Sequence, residues 1–178
     1  MATTALFALV PEAEACVAHL RERFDPAARR GLGAHVTILY PFAAPEAVNE
    51  ALLRQLAAVA AASAPFRFAL THVARFPGTV YLAPKPASRF VRLHEACAGA
   101  FPGTGTAEQR PYVPHLSVAR AGQGEDYGVE AELAATLQIR GRIECVCREL
   151  TLMENGSGLW RAIGAFALGT PAPATGAR

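Results

Sequence analysis

An α+β fold is predicted, with two helix-flanked halves in one bilobal domain, and three observations predict it. Period-two strand patterns and amphipathic helical stripes follow one another along most of the chain. The broad order of strands and helices in the first half returns in the second. No Pro/Gly linker cleanly separates the halves, so one domain is expected over residues 1 to 170, with a disordered tail over 171 to 178. At 178 residues the chain can enclose a sizeable core. Hydrophobic residues make up 52% and charged residues 18%, which excludes disorder as the default.

The elements follow in order. TALFALV, residues 4 to 10, reads as a short buried strand. Pro11 suits the first turn of a helix running to about Phe24, with Cys16, Val17 and Leu20 on its apolar face. Residues 25 to 34 form a loop with helix-breaking glycines, and HVTILY, residues 35 to 40, is a strand stopped by Pro41. Pro45 opens a helix to about Ala62, striped by Val48, Leu52, Leu56 and Val59. Residues 66 to 76 alternate as a strand with Phe66, Phe68 and Leu70 on one face. Pro77-Gly78 turns the chain, and residues 79 to 83 return as a hairpin partner. A helix over about 86 to 100 precedes a Gly/Thr-rich loop. HLSVAR, residues 115 to 120, is a strand, and a loop leads to a short helix near 129 to 137. Two longer strands, near 139 to 153 and 159 to 168, close the fold.

Several function classes fall away. The longest apolar run, Leu56 to Ala62, is too short to span a bilayer. The start has no basic region ahead of its apolar stretch, so a secretory leader is not expected. The four cysteines, Cys16, Cys97, Cys145 and Cys147, make no dense disulfide framework. The expectation is a cytoplasmic, monomeric protein with reduced thiols and no membrane partner. A net charge of +2 is no strong nucleic-acid signature. Every basic residue except Lys85 is arginine, which suits phosphate recognition but also matches a general codon bias.

The chemistry lies in two matching segments, Ala34-His35-Val36-Thr37-Ile38 and Pro114-His115-Leu116-Ser117-Val118. Each histidine begins a strand and has a hydroxyl residue two places on, hence on the same face. Val36 and Leu116 then point into the core. If the halves pack face to face, two imidazoles and two hydroxyls meet in one cleft. In-line displacement at phosphorus needs a base for the attacking water and an acid for the departing oxygen. Histidine, with an ordinary pKa of about 6.5, can fill either role. The hydroxyls can donate to phosphoryl oxygens. No metal or cofactor is called for, and there is no H-E-x-x-H and no cysteine pair with a matching second pair. Cys145 and Cys147 read as two small buried residues.

AHVTILYPF and PYVPHLSVAR resemble the paired H-x-T-x and H-x-[ST]-x signatures of the 2H phosphoesterase superfamily, in its 2′-5′ RNA ligase-like branch. The resemblance covers about residues 3 to 169. It implies two pseudo-symmetric lobes, each an antiparallel sheet flanked by helices, around a central cleft. It implies hydrolysis of 2′,3′-cyclic phosphates at RNA ends or on small cyclic nucleotides, with His35 as proton donor and His115 as acceptor. Thr37 and Ser117 would hold the phosphate. Arg120 matches an arginine that often follows the second motif, and Tyr40 an aromatic that often follows the first. Both would bind substrate. In a regular strand, however, Arg120 and Tyr40 point away from the histidines and reach the cleft only if the strand ends or bulges first.

Other readings stay open at this level. The two histidines could be strand-capping residues with structural hydrogen bonds. Cleavage or joining of 2′-5′ RNA linkages would use the same groups, and a module that binds an RNA end without turnover would share the cleft. Phe7 and Tyr112 could stack on a nucleobase, with packing roles the commoner outcome. Arg29 and Arg30 could steer a phosphate chain toward the site.

Overall fold

The computed structural model describes residues 2–104, 111–120 and 128–169. The expected tail over 171 to 178 and parts of two expected loops, 105–110 and 121–127, lie outside the described residues. Eight strands and four α-helices are present among those described, in the order β1 (Thr4–Leu9), α1 (Glu14–Phe24), β2 (His35–Leu39), α2 (Glu50–Ala62), β3 (Phe66–Phe76), β4 (Thr79–Lys85), α3 (Ala87–Ala100), β5 (Leu116–Arg120), α4 (Val129–Arg140), β6 (Ile143–Cys147), β7 (Glu149–Glu154) and β8 (Arg161–Ala167). None of these helices is long and apolar enough to cross a membrane.

The strands form two antiparallel sheets, β2-β1-β7-β8 and β5-β4-β3-β6. The bilobal α+β expectation holds, but the lobes are interleaved rather than consecutive halves. The first sheet takes β1 and β2 from the start of the chain and β7 and β8 from its end. The helices cross over too. α1, which follows β1, packs on β5 of the second sheet, and α3, which follows β4, packs on β2 of the first. The units β1-α1-β2-α2 and β4-α3-β5-α4 therefore mirror each other across the two sheets.

Three boundaries differ from expectation. Pro11–Ala13 forms a 3-10 turn, and α1 starts only at Glu14. Pro45–Ala47 is a separate 3-10 turn, and α2 starts after Asn49, whose side chain accepts from the Leu52 amide at 3.0 Å. An N-cap acceptor fixes a helix start more firmly than a proline does, because it satisfies an orphan amide. The expected strand over 139 to 153 is two strands in different sheets. Cys147 pairs with Phe66 of the second sheet, while Glu149 pairs with Ala167 of the first, so Arg148 alone turns the corner.

The main core fills the helix-covered faces with Leu6, Val36 and Leu152 from one sheet and Phe68, Leu82 and Leu116 from the other. The stripe on α1 is as expected, with Cys16, Val17 and Leu20 buried. A smaller cluster of Ala5, Phe7, Ala27, Leu32, Met153 and Trp160 lies apart from it. All four cysteines are free and buried. Burial pushes the Cys145 and Cys147 thiols up to about 12, so they stay protonated and pack as small apolar groups. Among the described residues, no three His, Cys, Asp or Glu side chains gather as a metal site.

Candidate functional site

β2 and β5 are the edge strands of their sheets, and they pack against each other. His35 opens β2, and His115 stands one residue ahead of β5. The fold thus brings together two segments far apart in sequence. Val36 and Leu116 are fully buried in the core, as alternation requires.

The two imidazoles are held alike. His35 Nδ1 donates to the Gly33 carbonyl at 2.8 Å, and His115 Nδ1 donates to the Val113 carbonyl at 2.8 Å. A carbonyl can only accept, so each Nδ1 carries the proton and each Nε2 is left as the unprotonated nitrogen. The Gly33 segment is itself fixed by α1, because the Ala34 amide donates to the Glu14 carboxylate. A Cβ at Gly33 would stand 3.0 Å from that carboxylate, so the close approach favours glycine.

Each ring also rests on aromatic edges. His35 meets Phe7 with centroids 4.5 Å apart, and Phe7 meets Trp160 at 5.4 Å. His115 meets Phe76 at 5.1 Å and Tyr81 at 5.4 Å, and those two stack at 4.5 Å. Phe7 is only 2% exposed, so it serves as a floor under His35 and has no face free for a base. Sequence reasoning missed Phe76, Tyr81 and Trp160, because residues that support a site through ring edges carry no motif.

Arg120 and Tyr40 lie on the histidine side, and a bulge in each strand puts them there. On β5, Ser117 pairs with Tyr81 and Ala119 with Val80, so Val118 is an extra residue. Arg120, opposite Thr79, thereby returns to the face of Ser117, and its Nη2 donates to Ser117 Oγ at 3.4 Å. On β2, Thr37 pairs with Phe7 and Leu39 with Leu6, so Ile38 is the extra residue at the equivalent place. Tyr40 then joins the face of Phe7, with its ring 6.3 Å from Trp160 and 47% exposed. Thr37 is half-buried and Ser117 is buried.

The electrostatics tie the two histidines to one cation. Burial pushes the His35 imidazole down to about 4. Its Gly33 hydrogen bond opposes this, Arg21 adds to it, Asp25 opposes it, and Arg120 adds again. Burial also lowers His115, with the Val113 hydrogen bond opposing and Arg120 adding. The same guanidinium thus acts on both rings. Both are neutral near pH 7. Behind His35 lies a buried ion pair, Arg21 Nη2 to Asp25 Oδ2 at 2.9 Å.

A stability consequence follows for His35. An unfolded imidazole takes its proton near pH 6.5, but the folded one holds out to about 4. The unfolded state therefore binds more protons between these values, and stability contributed by the neutral buried ring is complete above 6.5 and lost as pH falls toward 4. The expected loss is about 3 kcal/mol. Urea unfolding at a series of pH values checks it, and His35→Gln should flatten that slope.

The comparisons with known proteins agree in direction. A family model described as the 2′-5′ RNA ligase superfamily matches residues 9–159. A Geobacillus kaustophilus (strain HTA426) protein named "Putative phosphoesterase GK0864" is 28% identical over 141 residues, which span 76% of this chain and 78% of that one. TT0787 of Thermus thermophilus superposes with a TM-score of 0.64 at 17% identity, covering 96% of this chain and 100% of that one. E. coli LigT, solved with NADP+, does so with a TM-score of 0.59 at 17% identity, covering 94% and 98%. Both solved structures share the two-sheet fold.

Proposed function

The chain belongs to the 2′-5′ RNA ligase superfamily of 2H phosphoesterases, and from that premise we propose that it opens 2′,3′-cyclic phosphates at RNA ends or on small cyclic nucleotides by metal-independent acid–base catalysis. The observation that carries this reading is the twinned geometry: two imidazoles at the starts of adjoining edge strands, each with Nδ1 tied to the carbonyl two residues back.

In the proposed reaction, water attacks phosphorus and gives its proton to one Nε2. The bond from phosphorus to one ribose oxygen breaks, and that oxygen takes a proton from the other Nε2. The product is a phosphomonoester beside a free hydroxyl. By family resemblance His115 accepts and His35 donates. His35 starts neutral, and a phosphate anion against its Nε2 favours the protonated ring. Thr37, Ser117 and Arg120 bind the phosphoryl oxygens. The exposed Tyr40 ring offers a stacking face for the base. E. coli LigT structures with 3′-AMP and with ATP support a nucleotide-shaped occupant.

The test is incubation with 2′,3′-cyclic mononucleotides, cyclic-ended RNA and, separately, 2′-5′-linked oligomers, all in EDTA, with mass and positional analysis of products. Turnover of a cyclic substrate that survives EDTA is expected. The reactive free enzyme carries one proton shared between the two histidines. Both are depressed, so kcat/KM should be bell-shaped with its maximum on the acid side of 6.5. A bound anion raises both groups, so kcat should peak at higher pH than kcat/KM. Absence of turnover on every cyclic substrate would overturn the reading.

A further inference from the structure

Two side chains that this acid–base scheme does not use reach the histidine strand β2 from the β4–β5 connection of the other sheet. Tyr112, in the loop ahead of β5, donates its hydroxyl to the Thr37 carbonyl at 2.7 Å. His94, on α3, donates from Nδ1 to the Ile38 carbonyl at 2.8 Å. The two rings stack with centroids 4.0 Å apart and planes within 6°. One face of Tyr112 is therefore taken by His94.

The carbonyls concerned are those of the hydroxyl residue and of the bulge residue that follows it. An edge strand has one side without ladder partners, and a bulge disrupts the ladder on the other. Buried carbonyls in such a place need donors from elsewhere. Burial pushes the Tyr112 phenol far above its ordinary range, so it remains a donor throughout the working pH. Tyr112 is also next in sequence to Val113, whose carbonyl orients His115. One hydroxyl thus joins the backbone two residues beyond His35 to the segment that aims His115.

We propose that the stacked Tyr112–His94 pair is a clamp that sets the register between the two histidine segments, holding both imidazoles at the separation one phosphate requires. Tyr112 and His94 are positioning residues in this scheme, and neither touches substrate. The inference rests on the function proposed above for its kinetic consequence, but not for its spectroscopic one.

The experiment uses Tyr112→Phe, which keeps the ring and the stack and removes only the donor. With a 2′,3′-cyclic mononucleotide, kcat should fall about tenfold while KM stays within about twofold, as expected when reacting groups are misaligned in an intact cleft. In the free protein, ring-nitrogen NMR resonances of both His35 and His115 should shift, while those of the exposed His19 and His72 stay in place. A folded Tyr112→Phe protein with wild-type kcat and unmoved His35 and His115 resonances would overturn the clamp. If Tyr112→Phe does not fold, His94→Gln removes the stack instead and is read the same way. If the wild-type protein turns over no cyclic substrate, the functional reading fails and the resonances alone decide the clamp.

Discussion

His115→Ala lowers kcat/KM for a 2′,3′-cyclic nucleotide by roughly 10²- to 10⁴-fold, the range one positioned acid or base supplies, and leaves the protein folded. The half-buried ring sits over Phe76 and Tyr81, and its loss leaves the Val113 carbonyl beside solvent rather than sealed in. His35→Ala should cost as much activity, but it also removes a ring that is 3% exposed and packed on Phe7, so some stability goes with it. His115 is therefore the cleaner probe. Because the two rings serve one step, the double replacement should lose little beyond either single one. Steady-state kinetics on the three variants, with thermal melts alongside, makes the comparison. Undiminished kcat/KM in either single variant would rule out the acid–base pair.

Asp25→Ala is expected to destabilise the fold more than either histidine replacement. Arg21 is 1% exposed and Asp25 is 0% exposed, and they meet at 2.9 Å. Asp25 also accepts from the Ala27 amide at 3.0 Å, which shapes the chain leaving α1. Removing the carboxylate strands a guanidinium in the core whose Nε has no partner among the described residues. Breaking a buried pair on one side costs about 3–5 kcal/mol. Replacing both partners with apolar groups, Arg21→Met with Asp25→Leu, should return most of that, because no uncompensated charge remains. Urea unfolding of the single and double variants at pH 7 reads both effects. A loss under about 1 kcal/mol in Asp25→Ala would mean that Arg21 finds water.

Much of the candidate site was legible because strand alternation is a strong local rule. His35 with Thr37 and His115 with Ser117 needed only the two-residue period, and the buried Val36 and Leu116 confirm the faces. Arg120 and Tyr40 were ambiguous because their orientation depends on an extra residue in each strand. A local sign of it existed. Ile38-Leu39 and Val118-Ala119 are consecutive apolar pairs at the same place after the two motifs, where alternation falters. The interleaving of the sheets was not legible, since strand partners are chosen by packing across the whole chain. Nor were Tyr112 and His94, because both bond to backbone carbonyls, which look alike at every residue.

The crossing of strands between sheets bears on how the protein is made. β1 is an inner strand whose two neighbours are β2, made early, and β7, made nearly last. On a ribosome, the His35 side stays a two-stranded β1–β2 pair, joined through α1, until most of the polypeptide has emerged, and two paired strands alone have little stability in water. The β3–β4–β5 ribbon is complete well before then. The β1–β2 pair thus gains its remaining sheet neighbours only when the last strands have been made. Division of the coding sequence between the two motifs would leave each fragment without strands that its own sheet requires.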